Sequence, residues 1–271
     1  MCEKADHIHR YQLRKLSKLL DDFECLMDDS VTGKMKSYED YPNILLQAAG
    51  KSSLTLRAII QLCTSGFPDA ALVLARQIYE QSIILSFFEE IKQRQDFDKY
   101  VEDYYADYSL QIAKYNKWQA EHIKKDSSEI AEYQKKIEEI EQKKYHKIKG
   151  DYWWTGMPRF YDIVDYLMKC VDEKVATLMA KNHLLYMRAC KDVHAGVLGN
   201  ILRLGSDSDK CGVDNSAKTS GHGLPLYLAV FSFNIINLIV CSNLNIDGKK
   251  LFHQFDKLVD LYAAANEESN V

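Results

Sequence analysis

Apolar residues along this chain recur at three- and four-residue intervals, the repeat of one face of an α-helix, and strand-like alternation bounded by turn residues is hard to find. Ile8, Leu16, Leu19, Leu20, Phe23 and Met27 share such a face and predict a first helix from about Glu3 to Met27. A polar stretch from Asp28 to Tyr41 interrupts it. Pro42 suits the first turn of a second helix running to Thr64. Ser65-Gly66-Phe67-Pro68-Asp69 makes a turn, and a third helix follows to about Ile91. Leu224 to Leu244 carries no charged residue at all, and a last amphipathic helix runs from Gly248 to about Ala265.

The second and third helices are economical with charge. Arg57 is the only charge between Lys51 and Asp69, and Arg76 and Glu80 are the only ones between Asp69 and Glu89. Helices apolar on most sides lie in the centre of a bundle, so these isolated charges need partners. Arg76 and Glu80, one turn apart, share a face. The uncharged Leu224–Leu244 segment is long enough to cross a bilayer. Its Pro225, Ser232, Asn234, Asn237, Ser242 and Asn243, with no basic flank on one side, favour a buried bundle helix instead.

From Gln93 to Gly150 the pattern changes. Tyr100, Tyr104, Tyr108 and Tyr115 form a stripe at near-helical spacing, and Ile130, Tyr133, Ile137 and Ile140 follow a 3-4-3 seam. With a break near Asp126-Ser127-Ser128, residues 94–150 predict a charged helical hairpin, coiled-coil-like, inserted in the bundle. Eight Lys and eight acidic residues between Glu121 and Asp151 describe a solvated face rather than a phosphate-binding stripe. An aromatic turn, Tyr152-Trp153-Trp154-Thr155-Gly156, leads to a helix from about Pro158 to Cys170. One or two helices then occupy Val175 to Leu204, and residues 205–223 form a long flexible loop. The fold expected is all-α: a multi-helix up-and-down bundle, one helical domain over residues 1–271.

The net charge of −4 and a pI near 6.1 exclude a general nucleic-acid coat, though not a local RNA site. Seven scattered cysteines without a C-x-x-C pair fit free thiols in a reducing compartment. Met1-Cys2-Glu3-Lys4-Ala5-Asp6 has no apolar signal core, and a cytoplasmic location without membrane partners is the expectation.

Little in the sequence carries familiar chemistry. Gly212 to Thr219 imitates a phosphate loop, but Ala217 stands where glycine precedes the lysine and no strand leads in. No histidine has Glu three residues before it, so a di-metal carboxylate bundle is not expected; neither a metal nor a cofactor is. Cys190 lies four residues before His194, without the elbow that presents a nucleophile. What remains is the helix Leu184–Gly196, bearing Arg188 and His194. Arginine offers a permanent planar cation and histidine a proton shuttle near neutral pH. Tyr186, Cys190, Val193, Val197 and Ile201 define its apolar face, with His194 at the border. Arg188 sits about 120° from His194 on a regular helix and is spaced to pair with Asp192. A surface ion pair and a packed histidine account for the same residues.

Ala71-Leu72-Val73-Leu74-Ala75-Arg76 followed by Glu80, then Trp154-Thr155-Gly156, then Leu185-Tyr186 and Val193-His194-Ala195, resembles the bacterial domain-of-unknown-function family 5677, over most of the chain from Pro42 to Leu244. That family brings no reaction with it. Arg188, with five residues before His194, is also similar to the Arg-x(4–6)-His motif of the HEPN superfamily, helical bundles that often cleave RNA in antiphage defence and toxin systems. Its commonest version has a polar residue straight after the arginine; here it is Ala189.

The resemblance implies metal-independent attack of an RNA 2′-hydroxyl on its neighbouring phosphate. His194 would serve as general base or acid, and Arg188 would stabilise the phosphate charge. It further implies a homodimer in which Arg188 and His194 of different chains meet, with Arg76, Glu80, Tyr186 and Asp192 orienting the site or stapling the bundle. The other expectation is a non-catalytic interaction or regulatory module, with the hairpin receiving a partner protein.

Overall fold

Proline and glycine punctuate the chain where the hydrophobic repeat breaks, and in the computed structural model the starts of the helices Tyr41–Thr64, Pro68–Ile91 and Gly223–Leu244 fall at such residues. The structure describes residues 2–31, 40–193 and 222–268. Among them are nine α-helices and no strand: α1 (Cys2–Val31), α2 (Tyr41–Thr64), α3 (Pro68–Ile91), α4 (Phe97–Gln119), α5 (Ser127–Lys143), α6 (Phe160–Cys170), α7 (Glu173–Val193), α8 (Gly223–Leu244) and α9 (Lys249–Glu268). The fold is thus an all-α helical bundle. The first helix continues one turn beyond Met27. Residues 194–221, which include His194, the phosphate-loop lookalike and most of the predicted loop 205–223, lie outside the described residues.

Pro42 and Pro68 occupy the first turns of α2 and α3, where their missing N–H groups have no helical partner to lose. Asp40 caps α2 by accepting the Asn43 N–H at 3.1 Å. Gly66 turns the chain between the two helices at φ +84°, a conformation glycine adopts without strain. The lone charge Arg57 finds its partners on α1, with Asp21 at 2.6 Å and Glu24 at 2.5 Å.

The uncharged helix α8 is the axis of the bundle, packed against α2, α3 and α9. Leu226, Leu228, Ala229, Val230, Phe233, Ile236 and Val240 are fully buried, and its most apolar stretch, of mean hydropathy 2.0, is 67% buried within the protein. Phe233 meets Phe23 of α1 and Phe255 of α9 edge to face, at 5.3 and 5.5 Å. Polar residues on α8 are handled unequally. Asn234 donates to Asp256 at 2.6 Å, whereas fully buried Asn237 has no hydrogen-bond partner for either amide atom among the described residues.

The tyrosine stripe divides along α4. Tyr100 and Tyr104 turn into an aromatic hub with Phe87, Phe88 and Trp154, whose ring stacks on Phe88 at 5.3 Å. Tyr108 and Tyr115 are 64% exposed. A π-helical turn (Ala120–Lys124) and a left-handed Lys125 reverse the chain. Asp126 then caps α5 through the N–H groups of Ser128 and Glu129. No residue of α5 is fully buried; its Ile130, Tyr133, Ile137 and Ile140 seam is half-buried, and the helix packs chiefly against α4. The hairpin closes on buried Asp103, which accepts the N–H groups of Tyr145 (3.1 Å) and His146 (2.9 Å) and the His146 ring at 3.1 Å.

Candidate functional site

Helix α7 crosses α3 and is fixed to it by the residues that the sequence left isolated. Asp172 opens α7 by accepting the N–H groups of Lys174 and Val175. Asn182, His183 and Ala189 are buried, and Tyr186 and Cys190 are half-buried, so these positions face the bundle. Ala189 is fully enclosed, which gives the absence of a polar residue after Arg188 a physical reason: that position faces the core.

From α3, Arg76 and Glu80 rise toward this face. The Arg76 Nε lies 3.5 Å from Glu80 Oε1, within ion-pair reach but without a directed hydrogen bond. Tyr186 donates its hydroxyl to the same Glu80 oxygen at 2.9 Å, and Arg76 Nη1 approaches the Cys190 sulfur at 3.9 Å. Arg76, Glu80 and Tyr186 are therefore brought together, joined by Cys190. Burial works most strongly against the Arg76 charge, but the Glu80 charge, the Cys190 contact and Tyr186 together outweigh that cost and hold its pKa above the ordinary value. Burial, aided by the Cys190 contact and the Glu80 charge, drives the Tyr186 phenol far upward, so Tyr186 stays protonated and acts as a donor. Tyr152 is raised in the same way, by burial and then by Glu80.

Behind this quartet four rings pack together. Tyr186 stacks on His183 at 5.4 Å and touches Phe160 at 5.0 Å and Tyr79 at 5.1 Å. The Tyr79 hydroxyl meets His183 Nδ1 at 3.4 Å. Desolvation lowers the His183 pKa and raises that of Tyr79, so both groups are held neutral in this contact. Sequence reasoning missed Tyr79 and His183. Their one available signal is a shared helical phase with Arg76 and Tyr186, which any packed residue would show.

Arg188 stands apart. It is exposed, and two residues from Tyr186 it projects from the far side of α7. It does not join the Arg76–Glu80 cluster. His194 and the side chain of Asp192 lie outside the described residues, so neither the Arg188–Asp192 pairing nor the placement of His194 is described.

Among the described residues, no group of three or more His, Cys, Asp or Glu could hold a metal ion. A second polar constellation does exist, the Asp103–His146 pair, with both side chains largely buried. Asp103 spends its remaining lone pairs on backbone N–H groups, which makes it a structural anchor of the hairpin base.

No curated protein and no solved structure matches this chain. A family model does, described as a family of unknown function (DUF5677), over residues 43–211, a segment that contains Arg76, Glu80, Tyr186, Arg188 and His194. That segment exceeds half of the chain, and the protein belongs to this family.

Proposed function

We propose that the protein is a HEPN-like, metal-independent endoribonuclease of a bacterial defence or toxin system, working in the cytoplasm as a homodimer with no membrane partner. The observation that supports this reading is the exposure of Arg188 on a helix whose opposite face is pinned to α3. A guanidinium so presented can take a phosphodiester with its planar fork, because its backbone is positioned by the core rather than by a loop. In the reaction the RNA 2′-oxygen gives its proton to His194 and bonds to the adjacent phosphorus. The P–O5′ bond breaks, and the leaving oxygen takes a proton as a cyclic phosphate forms. Arg188 stabilises the negative charge on the phosphoryl oxygens as this happens.

The test is RNA cleavage in the presence of EDTA by wild type, Arg188→Ala and His194→Ala. Loss of about 100-fold or more in each variant, with unchanged circular dichroism, is expected when one charge-stabilising or proton-transfer group is removed. Equal cleavage by all three proteins ends the proposal.

A second reading, a non-catalytic interaction module, is favoured by the outer half of α4. There Tyr108, Tyr115 and Trp118 are each more than half exposed. An effect on host growth that survives His194→Ala but disappears in Tyr115→Ala/Trp118→Ala supports this reading over the nuclease.

A further inference from the structure

Between α3, the end of α6, the first half of α7 and α8 lies an open cleft of about 280 Å³ that the proposed nuclease chemistry does not use. Its walls are overwhelmingly apolar, built from Ile83, Leu167, Met179, Phe231, Ile235 and Ile239. Its mouth carries Val171, Val175 and Leu178, each more than one-third exposed. Exposed aliphatic side chains grouped around a concave apolar surface are the usual setting of a small-molecule site, and this volume lies at the small end for such sites.

The polar atoms of the cleft share one property: they are left as acceptors. Ser82 and Ser86 spend their hydroxyl protons on the carbonyls of Tyr79 and Ser82, both at 2.8 Å. Asn182, 1% exposed, donates its amide to the Leu178 carbonyl at 3.0 Å, and its Oδ1 has no partner among the described residues. The Tyr79 hydroxyl is engaged with His183 Nδ1 at 3.4 Å. At the rim stand two carboxylates. Glu89 is occupied by Lys92 and by Asn243 at 2.8 Å. Glu90 is exposed and forms no ion pair among the described residues; the Cys170 thiol and Tyr166 lie beside it. Among the described residues, no cationic side chain lines the cleft.

An apolar cavity that offers acceptors and negative charge, with no free donor, is complementary to one class of ligand. We infer that this cleft binds a small organic cation, an aliphatic or aromatic primary amine whose hydrocarbon body fills the cavity and whose ammonium group is held at Glu90. The ammonium supplies the donors that the site lacks, and the body covers Val171, Val175 and Leu178. Anionic and neutral molecules of the same shape leave these acceptors unmatched.

The experiment is isothermal titration of the full chain with octylamine, octanol and octanoate, three probes of one length and three charges. Saturable one-to-one binding of octylamine is expected, about tenfold tighter than octanol, with octanoate weaker still, as one charge-assisted contact implies. Glu90→Gln, a change at an exposed position, brings octylamine to within about twofold of octanol, a difference too small for a charge-assisted contact. Leu178→Trp, which fills the mouth, removes binding of both. Equal affinities for the three probes, absence of saturation, or octylamine binding unchanged in Leu178→Trp would each overturn the assignment. Cleavage of RNA is not a readout in this test, so its outcome is independent of the nuclease proposal.

Discussion

Replacing Asp103 by Asn should open the base of the hairpin. The Asp103 side chain is 6% exposed and accepts three hydrogen bonds: from the Tyr145 N–H at 3.1 Å, the His146 N–H at 2.9 Å and the His146 ring at 3.1 Å. An amide of the same shape keeps one acceptor oxygen and turns an NH₂ toward the remaining donors. One or two charge-assisted bonds are lost and at least one buried N–H is left unpaired, a cost of about 3 kcal/mol. The assay is urea denaturation of wild type and variant, with amide hydrogen exchange read at Tyr145 and His146. The midpoint should fall, and those two amides should lose protection before those of α3 or α8, because the rest of the core is untouched. A change below about 0.5 kcal/mol, the size of an ordinary surface substitution, would show that Asp103 does not hold the hairpin base.

Three further outcomes follow from buried groups. His183, pushed below its ordinary 6.5 by desolvation, binds fewer protons folded than unfolded. Stability should therefore fall as pH drops below about 6.5, by up to 1.36 kcal/mol per unit, and His183→Gln should flatten the urea midpoint against pH across that window. Asn237→Leu should raise stability by about 1 kcal/mol, since it exchanges an unpartnered buried amide for a hydrocarbon of similar size; a lower melting temperature would refute this. Burial pushes the Cys63 thiol up to about 12 and Cys241 to about 11. Maleimide labelling of native protein near pH 8 should accordingly mark exposed Cys25 and Cys170 and spare these two until urea is added.

How much was legible depends on whether the cause is local. Pro42, Pro68 and Gly66 fix the ends of α2 and α3 through their own backbone restrictions, so those boundaries could be read directly. The uncharged run of α8 announced a buried helix because no other soluble position tolerates it. The need of Arg57 for partners was equally readable, although nothing in the sequence named Asp21 and Glu24. The tyrosine stripe shows where the local signal stops. Tyr104 and Tyr108 lie one turn apart, and the reach of Trp154 from fifty residues away packs the first while the second stays exposed. Arg76 with Cys190, Asp103 with His146 and the cleft between four helices depend on separations that no periodicity encodes.

The place of α8 along the chain has a consequence for how the protein is made. The axis of the bundle leaves the ribosome more than 130 residues after α3, its principal neighbour. Until then α2 and α3 have their apolar faces uncovered, and the contact that completes the core must close a very long loop. Nascent chains halted before residue 223 should accordingly be substrates for chaperones and proteases. A segment cut to the family boundaries, residues 43–211, would carry the catalytic candidates but lack α8, the axis of the bundle.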